Sequence, residues 1–262
     1  LKRILLAAVL AAGPTHLRAL ASDQPPNLYT RLIQDHAPAL VTLKFVLEAP
    51  AEFGGGEQEM ESSGLMIEKD GLVLAANSQF GGFFAMMGGV TPAIKNIRVL
   101  VGDDSKGVDA ALIARDSELD LAWVRINNPD PAGYDHIDLA DSGPASLGER
   151  IIMVSRMGKY FDRAPIVTEA AVGGITAKPR RLLVPNQFLL QFGMPVFSGD
   201  GKLVGITVVQ SPSSEEEQSD NVSTMMGSTD SLRGLILPTE EVRIATARAK
   251  ETAAPTTPTP AP

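Results

Sequence analysis

The sequence predicts an all-β chain: two packed antiparallel barrels of about six strands each, framed by a short helix at either end. Three observations predict it. Apolar runs of three to ten residues, rich in Val, Ile and Leu, recur between residues 40 and 237. Asp-Gly pairs at Asp70-Gly71 and Asp200-Gly201 stand between such runs and favour the left-handed conformations of tight hairpins. Helical stretches of ten or more residues between the runs, which a parallel sheet with crossover helices needs, are missing.

Taken in order, the first element is one that export removes. Lys2 and Arg3 precede the apolar run 4–12, Gly13-Pro14 ends it, and Ala19-Leu20-Ala21 offers small residues where a signal peptidase inspects the chain. Residues 1–21 therefore read as a signal peptide, and the run is too short for a spanning helix of about 20 residues. The mature chain is expected to be exported, periplasmic or secreted, with no membrane span. A helix over 27–36 then leads into strands over 40–47, 64–67, 72–75, 97–101, 110–114 and 121–126, which make an N-terminal barrel within 22–128. Further strands over 149–155, 166–175, 182–184, 188–191, 195–197, 203–209 and 234–237 make a C-terminal barrel within 129–249. Thr239 caps a closing helix over 239–249, and the Ala-, Thr- and Pro-rich stretch 250–262 reads as a disordered tail.

Two stretches fit no strand. Residues 80–92 form an apolar, glycine-rich loop carrying Phe80, Phe83, Phe84, Met86 and Met87, and residues 211–231 form an acidic excursion with Glu215, Glu216, Glu217 and Asp220. Long structureless loops in compact domains usually have a use, so the first is a candidate binding loop, packing inward or facing a partner.

Charge and composition exclude several classes of function. With 31 acidic against 23 basic residues the formal net charge is -8, which opposes nucleic acid as a partner. The absence of Cys removes disulfides, zinc-thiolate sites and thiol nucleophiles, and three dispersed histidines give no zinc spacing. No phosphate-cradling glycine loop is present. Asp103-Asp104-Ser105-Lys106-Gly107 lacks the closing carboxylate of a calcium loop and reads as a solvated turn. No cofactor and no metal are expected.

The motifs resemble a family. Ser62-Ser63-Gly64-Leu65-Met66-Ile67 with Asp70-Gly71-Leu72-Val73-Leu74-Ala75-Ala76-Asn77-Ser78 is similar to G-S-G-F-I-I-S-x-D-G-Y-I-L-T-N-x-H of the HtrA/Deg trypsin-like serine proteases. Arg115-Asp116 with Asp120-Leu121-Ala122 resembles R-D-x-x-x-D-L-A, and Leu139-Ala140-Asp141-Ser142 with Leu147-Gly148-Glu149 resembles L-G-D-S followed by V-G-E. Gln191-Phe192-Gly193-Met194-Pro195-Val196 lies over N-S-G-G-P-L, and Leu237-Pro238-Thr239 resembles I-P-S. The likeness spans about residues 28–247 and implies the double β-barrel of trypsin-like proteases.

What the resemblance implies for chemistry is a broken triad. A serine protease needs a nucleophilic hydroxyl, an imidazole to take its proton, a carboxylate to orient the imidazole, and amide donors for the oxyanion. The resemblance places Ser78 at the imidazole, Asp120 at the carboxylate and Phe192 at the nucleophile, so only the carboxylate survives. Leu190 stands where the family has an oxyanion-turn glycine, next to Gly193, and its Cβ disfavours a positive-φ backbone. His16, His36 and His136 do not fall beside Asp120, and Ser198 reads as a hairpin-turn serine. Asp120 is left to accept hydrogen bonds from the backbone or from Ser78. The expectation is a protease homologue without proteolytic activity that binds a polypeptide partner as a scaffold or adaptor. The alternative is an active serine endopeptidase with a relocated catalytic set.

Overall fold

The computed structural model describes residues 26–48, 55–82, 92–210 and 234–253. It contains the two barrels, each closed and each of six antiparallel strands. The first comprises β1 (Leu40–Glu48), β2 (Glu57–Glu68), β3 (Leu72–Ala76), β4 (Ile94–Leu100), β5 (Val108–Asp116) and β6 (Leu121–Ile126), joined around the circle as β1-β2-β3-β6-β5-β4. The second comprises β7 (Arg150–Arg156), β8 (Pro165–Ile175), β9 (Leu183–Pro185), β10 (Pro195–Ser198), β11 (Leu203–Val208) and β12 (Leu235–Pro238), in the circular order β10-β11-β12-β9-β8-β7. Closure leaves no strand edge unpaired around either barrel.

Local chemistry explains the elements. Along β1 the inward Leu43, Phe45 and Leu47 are buried while Thr42, Lys44 and Val46 are half-buried between them, the period-2 pattern of a strand with one core face. β3 and β11 are buried at every position and belong to one hydrophobic core that runs through both barrels. At Gly71 the chain turns with φ +89°, its amide donating to the Glu68 carbonyl at 3.1 Å, and a Cβ there would meet Ile126 Cβ at 2.9 Å. Only glycine suits that position.

The terminal helices dock across the molecule. α1 (Leu28–His36), capped by the Asn27 side chain accepting from the Thr30 amide at 3.0 Å, packs on β7 and β8 of the second barrel, where Arg150 donates to the Tyr29 hydroxyl. α2 (Thr239–Ala253) packs on β5 of the first barrel and on β11 and β12 of the second. Its Thr246 Oγ1 accepts from the indole nitrogen of Trp123 at 3.0 Å.

Three boundaries differ from expectation. β2 begins at Glu57, seven residues before the expected 64, because 57–63 is polar and shows no apolar alternation, yet pairs with β1 from Glu48↔Glu57 to Leu40↔Leu65. Residues 188–191 are not a strand: the Gln191 carbonyl accepts from Thr207 Oγ1 at 2.8 Å rather than from a neighbouring strand. α2 continues through Ala253 into the stretch expected to be a disordered tail, its last turns supported by the Lys250–Glu68 ion pair and by Thr252 Oγ1 donating to the Arg248 carbonyl. The expected signal peptide 1–21, the expected acidic excursion 211–231 and the expected tail from 254 lie outside the described residues. No helix among the described residues is long and apolar enough to cross a membrane.

Candidate functional site

The site grows from the paired ends of β3 and β6. Their antiparallel register sets Ala76 against Leu121, so the residues just beyond, Asn77 and Asp120, face each other and the Asn77 amide donates to the Asp120 carbonyl at 3.0 Å. After Ala76 the chain enters a 3₁₀ turn, Asn77–Phe80, ended by Gly81 at φ +79°. Arg115 of β5 pins this turn through Nη1, which donates to the Phe80 carbonyl at 2.8 Å and to Asn77 Oδ1 at 3.3 Å. Phe80 is fully buried and stacked on Phe45, ring centroids 4.6 Å apart, so it belongs to the barrel core. Phe83, Phe84, Met86 and Met87 lie outside the described residues.

Asp120 occupies the left-handed region with φ +58°, which aspartate tolerates better than most residues, and its side chain is 4% exposed. Its Oδ1 accepts the Ser78 amide at 2.6 Å; its Oδ2 accepts the Ser78 hydroxyl at 3.1 Å and the Val209 amide at 2.8 Å. Val209 follows β11, so this carboxylate ties the two barrels together. Burial pushes the Asp120 carboxyl up to about 6, while the Val209 amide, the Ser78 amide and the Ser78 hydroxyl, in that order, oppose the rise. The hydroxyl of Ser78 thus donates to an oxygen with which an orienting carboxylate would accept an imidazole N–H.

The segment from Leu190 to Pro195 closes the other side. Gly193 sits at φ +75°, donates its amide to the Thr207 carbonyl at 2.7 Å, and comes so close to the end of β3 that a Cβ would meet the Ala76 nitrogen at 2.8 Å. That contact brings residue 192 to the Ser78 turn, so the three positions Ser78, Asp120 and Phe192 converge. Thr207 organises the turn. Its hydroxyl accepts from the buried Met194 amide at 2.9 Å and donates to the Gln191 carbonyl. Leu190 is 74% exposed and is not among the residues with positive φ, so leucine there causes no backbone strain. Among the described residues, no acceptor meets the amides of Leu190 or Phe192.

Between the barrels lies a cleft of about 550 Å³, with Ser62, Ser78 and Gln79 on the first-barrel side and Arg156, Lys159 and Gln191 on the second. The other singled-out residues lie elsewhere. The His36 ring stacks on Phe197 at 4.2 Å, and burial lowers its pKa against the pull of Asp35 and Asp141. His136 Nδ1 sits 3.2 Å from the Tyr134 carbonyl oxygen. Ser198 Oγ is engaged by Asp200 and by the Lys202 amide and carbonyl. Among the described residues, neither histidine ring hydrogen-bonds a serine, and no three His, Asp or Glu side chains are grouped as metal ligands. The Asp104 carboxylate accepts the amides of Lys106 and Gly107 at 2.9 Å each, which makes 103–107 a self-contained turn.

Sequence reasoning did not single out Arg115, Thr207 or Arg156. One hydroxyl within the otherwise apolar run 203–209 was a usable sign, since a buried hydroxyl needs a partner. In comparison with protein families, residues 62–206 match the trypsin-like peptidase domain, a stretch from β2 to β11 that covers more than half of the chain and contains all three converging positions. Comparison with curated proteins finds no match.

Proposed function

Because the chain belongs to the trypsin-like peptidase domain family, we propose that it is a non-catalytic member that holds a polypeptide in the cleft between its barrels. One observation carries this reading: at the three converging positions stand Ser78, Asp120 and Phe192, and the carboxylate is hydrogen-bonded by Ser78 where a protease would place an imidazole. Phenylalanine has no proton to lose and no lone pair with which to attack a carbonyl, and a serine hydroxyl cannot act as a general base near neutral pH. Acyl transfer then has neither its nucleophile nor its base. The amides of Leu190 and Phe192, which meet no acceptor among the described residues, are donors that a bound main chain could use.

In this reading the motifs support the HtrA/Deg branch, and the apolar N-terminal run supports work outside the cytoplasm, in the periplasm or the medium. A polypeptide partner suits a cleft that offers apolar liners, Leu47, Met60 and Met157, together with polar and charged ones from both barrels. The test uses fluorescein-labelled casein. The mature chain is expected to raise its anisotropy with micromolar protein while leaving the label quenched over hours. Release of the label, abolished by mutation of one serine, would establish an endopeptidase with a relocated catalytic set.

A further inference from the structure

The chain carries a net charge of -8, yet its cleft is lined by three cations, Arg156, Lys159 and Arg163, against the single carboxylate of Glu61. Glu61 is taken by Arg163, Nη2 lying 3.1 Å from Oε2. Lys159 forms no ion pair among the described residues. The guanidinium of Arg156 donates to two carbonyls, those of Ala37 at 2.8 Å and Arg163 at 3.2 Å, and to no carboxylate. Asp103, which does not line the cleft, is the acidic group that acts on it. Among the residues that line the cleft, positive charge therefore outweighs negative; the loop's own carboxylate, Asp162, is not one of the liners.

The same segment presents the most exposed aromatic pair among the described residues. In the 3₁₀ turn Lys159–Phe161, Tyr160 is 91% exposed and Phe161 55%, their rings edge to face at 5.0 Å. Directly after them, Asp162 and Arg163 both take the left-handed conformation, φ +52° and +50°. Two consecutive such residues without glycine are strained, and the surroundings hold them there: the Arg163 amide donates to the Gly158 carbonyl, its carbonyl accepts from Arg156, and its guanidinium meets Glu61. The loop is thus a fixed platform that sets two uncovered aromatic rings beside an unpaired ammonium. Two buried polar atoms of cleft residues, Ser62 Oγ and Gln79 Oε1, have no hydrogen-bond partner among the described residues.

We propose that this end of the cleft selects acidic polypeptide segments: Lys159 receives a carboxylate side chain, Arg163, held by Glu61, adds charge beside it, and Tyr160 with Phe161 cover an apolar or aromatic neighbour. Arg156, its two terminal nitrogens already engaged, contributes charge from behind. A cation next to exposed Tyr and Phe, such as Lys159 without an ion pair among the described residues, is the composition of an interface anchor, and charge complementarity sets which partner is taken. The inference rests on the reading that the cleft binds polypeptide, and adds the chemistry of what it binds.

Three dye-labelled, end-capped heptapeptides test it by anisotropy with the mature chain at low salt: Ser-Gly-Glu-Phe-Glu-Gly-Ser, the same with Gln for both Glu, and the same with Lys. The acidic peptide is expected to bind about tenfold tighter than the Gln form and weakest binding is expected for the Lys form, the gap closing as salt rises. Lys159→Glu should abolish the preference. Arg248→Glu, the same charge change on the exposed face of α2, should leave it intact. Tyr160→Ser with Phe161→Ser should weaken all three peptides alike. Equal binding of the three peptides would overturn the acidic preference while leaving polypeptide binding standing; binding of none of them would overturn both. A preference that Arg248→Glu reduces as much as Lys159→Glu would assign it to the overall charge and remove the site.

Discussion

At Asp120, burial and hydrogen bonding pull in opposite directions, and pH separates them. The folded-state value of about 6 lies above the ordinary 3.8, so between these two pH values the native chain keeps a proton that the unfolded chain releases. Stability from this group is fully present below pH 3.8 and is lost as pH rises through 6. At about 1.4 kcal/mol per pH unit the gap is worth about 3 kcal/mol. Relative to Asp120→Asn, which does not titrate, the wild type should therefore lose stability between pH 4 and 6.5 and hold a constant difference above, as read from urea midpoints. A difference that moves in the wild type's favour with rising pH would mean that Ser78 and Val209 outweigh burial. The hydrogen bonding of Ser78 to Asp120 was legible in the sequence because each residue sits in a motif with fixed spacing to its strand. The Val209 amide was not, because backbone donors leave no mark on residue type.

At the level of elements, the turn 190–195 depends on one side chain of β11. Thr207→Val keeps the shape and removes the hydroxyl, leaving the buried Met194 amide without its acceptor and the Gln191 carbonyl without its donor. The loss should be about 1–3 kcal/mol in chemical denaturation, and Thr207→Ser should recover most of it. An unchanged midpoint in the valine variant would show that the turn is held from elsewhere. This turn is also where strand reading failed. Residues 188–191 are apolar enough to resemble a strand, but periodicity cannot tell a paired backbone from one whose carbonyl is met by a side chain. The polar half of β2 was missed for the reverse reason: its Glu57, Glu59 and Glu61 are matched by Lys95, Lys44 and Arg163, partners that come from other strands and from a loop 100 residues away.

On the scale of the whole molecule, the ties between the barrels include the Asp120–Val209 hydrogen bond, the Glu61–Arg163 ion pair, α1 lying on the second barrel, and α2 lying on both. Two barrels of six strands were readable from repeated apolar runs and turn chemistry. The crossing of the helices was not, since an amphipathic face shows that a helix packs and not on what. The single tryptophan reports on the α2 contact, because Trp123 is buried in the first barrel and donates to Thr246 of the helix. Val242→Ala, which empties a fully buried position of α2, should cost at most about 1.5–3 kcal/mol, with tryptophan fluorescence and far-ultraviolet circular dichroism reporting one coincident transition. Two separate transitions would show that the barrels fold independently and that the helix does not couple them.

The proposed loss of catalysis turns on one atom, the hydroxyl oxygen that Phe192 lacks. Fluorophosphonate labelling of the mature chain, read by intact-mass spectrometry, addresses it most directly. The account predicts no adduct after hours at neutral pH, under conditions that label trypsin to completion. A stoichiometric adduct, mapped to one serine and lost on mutating that serine to alanine, would contradict it.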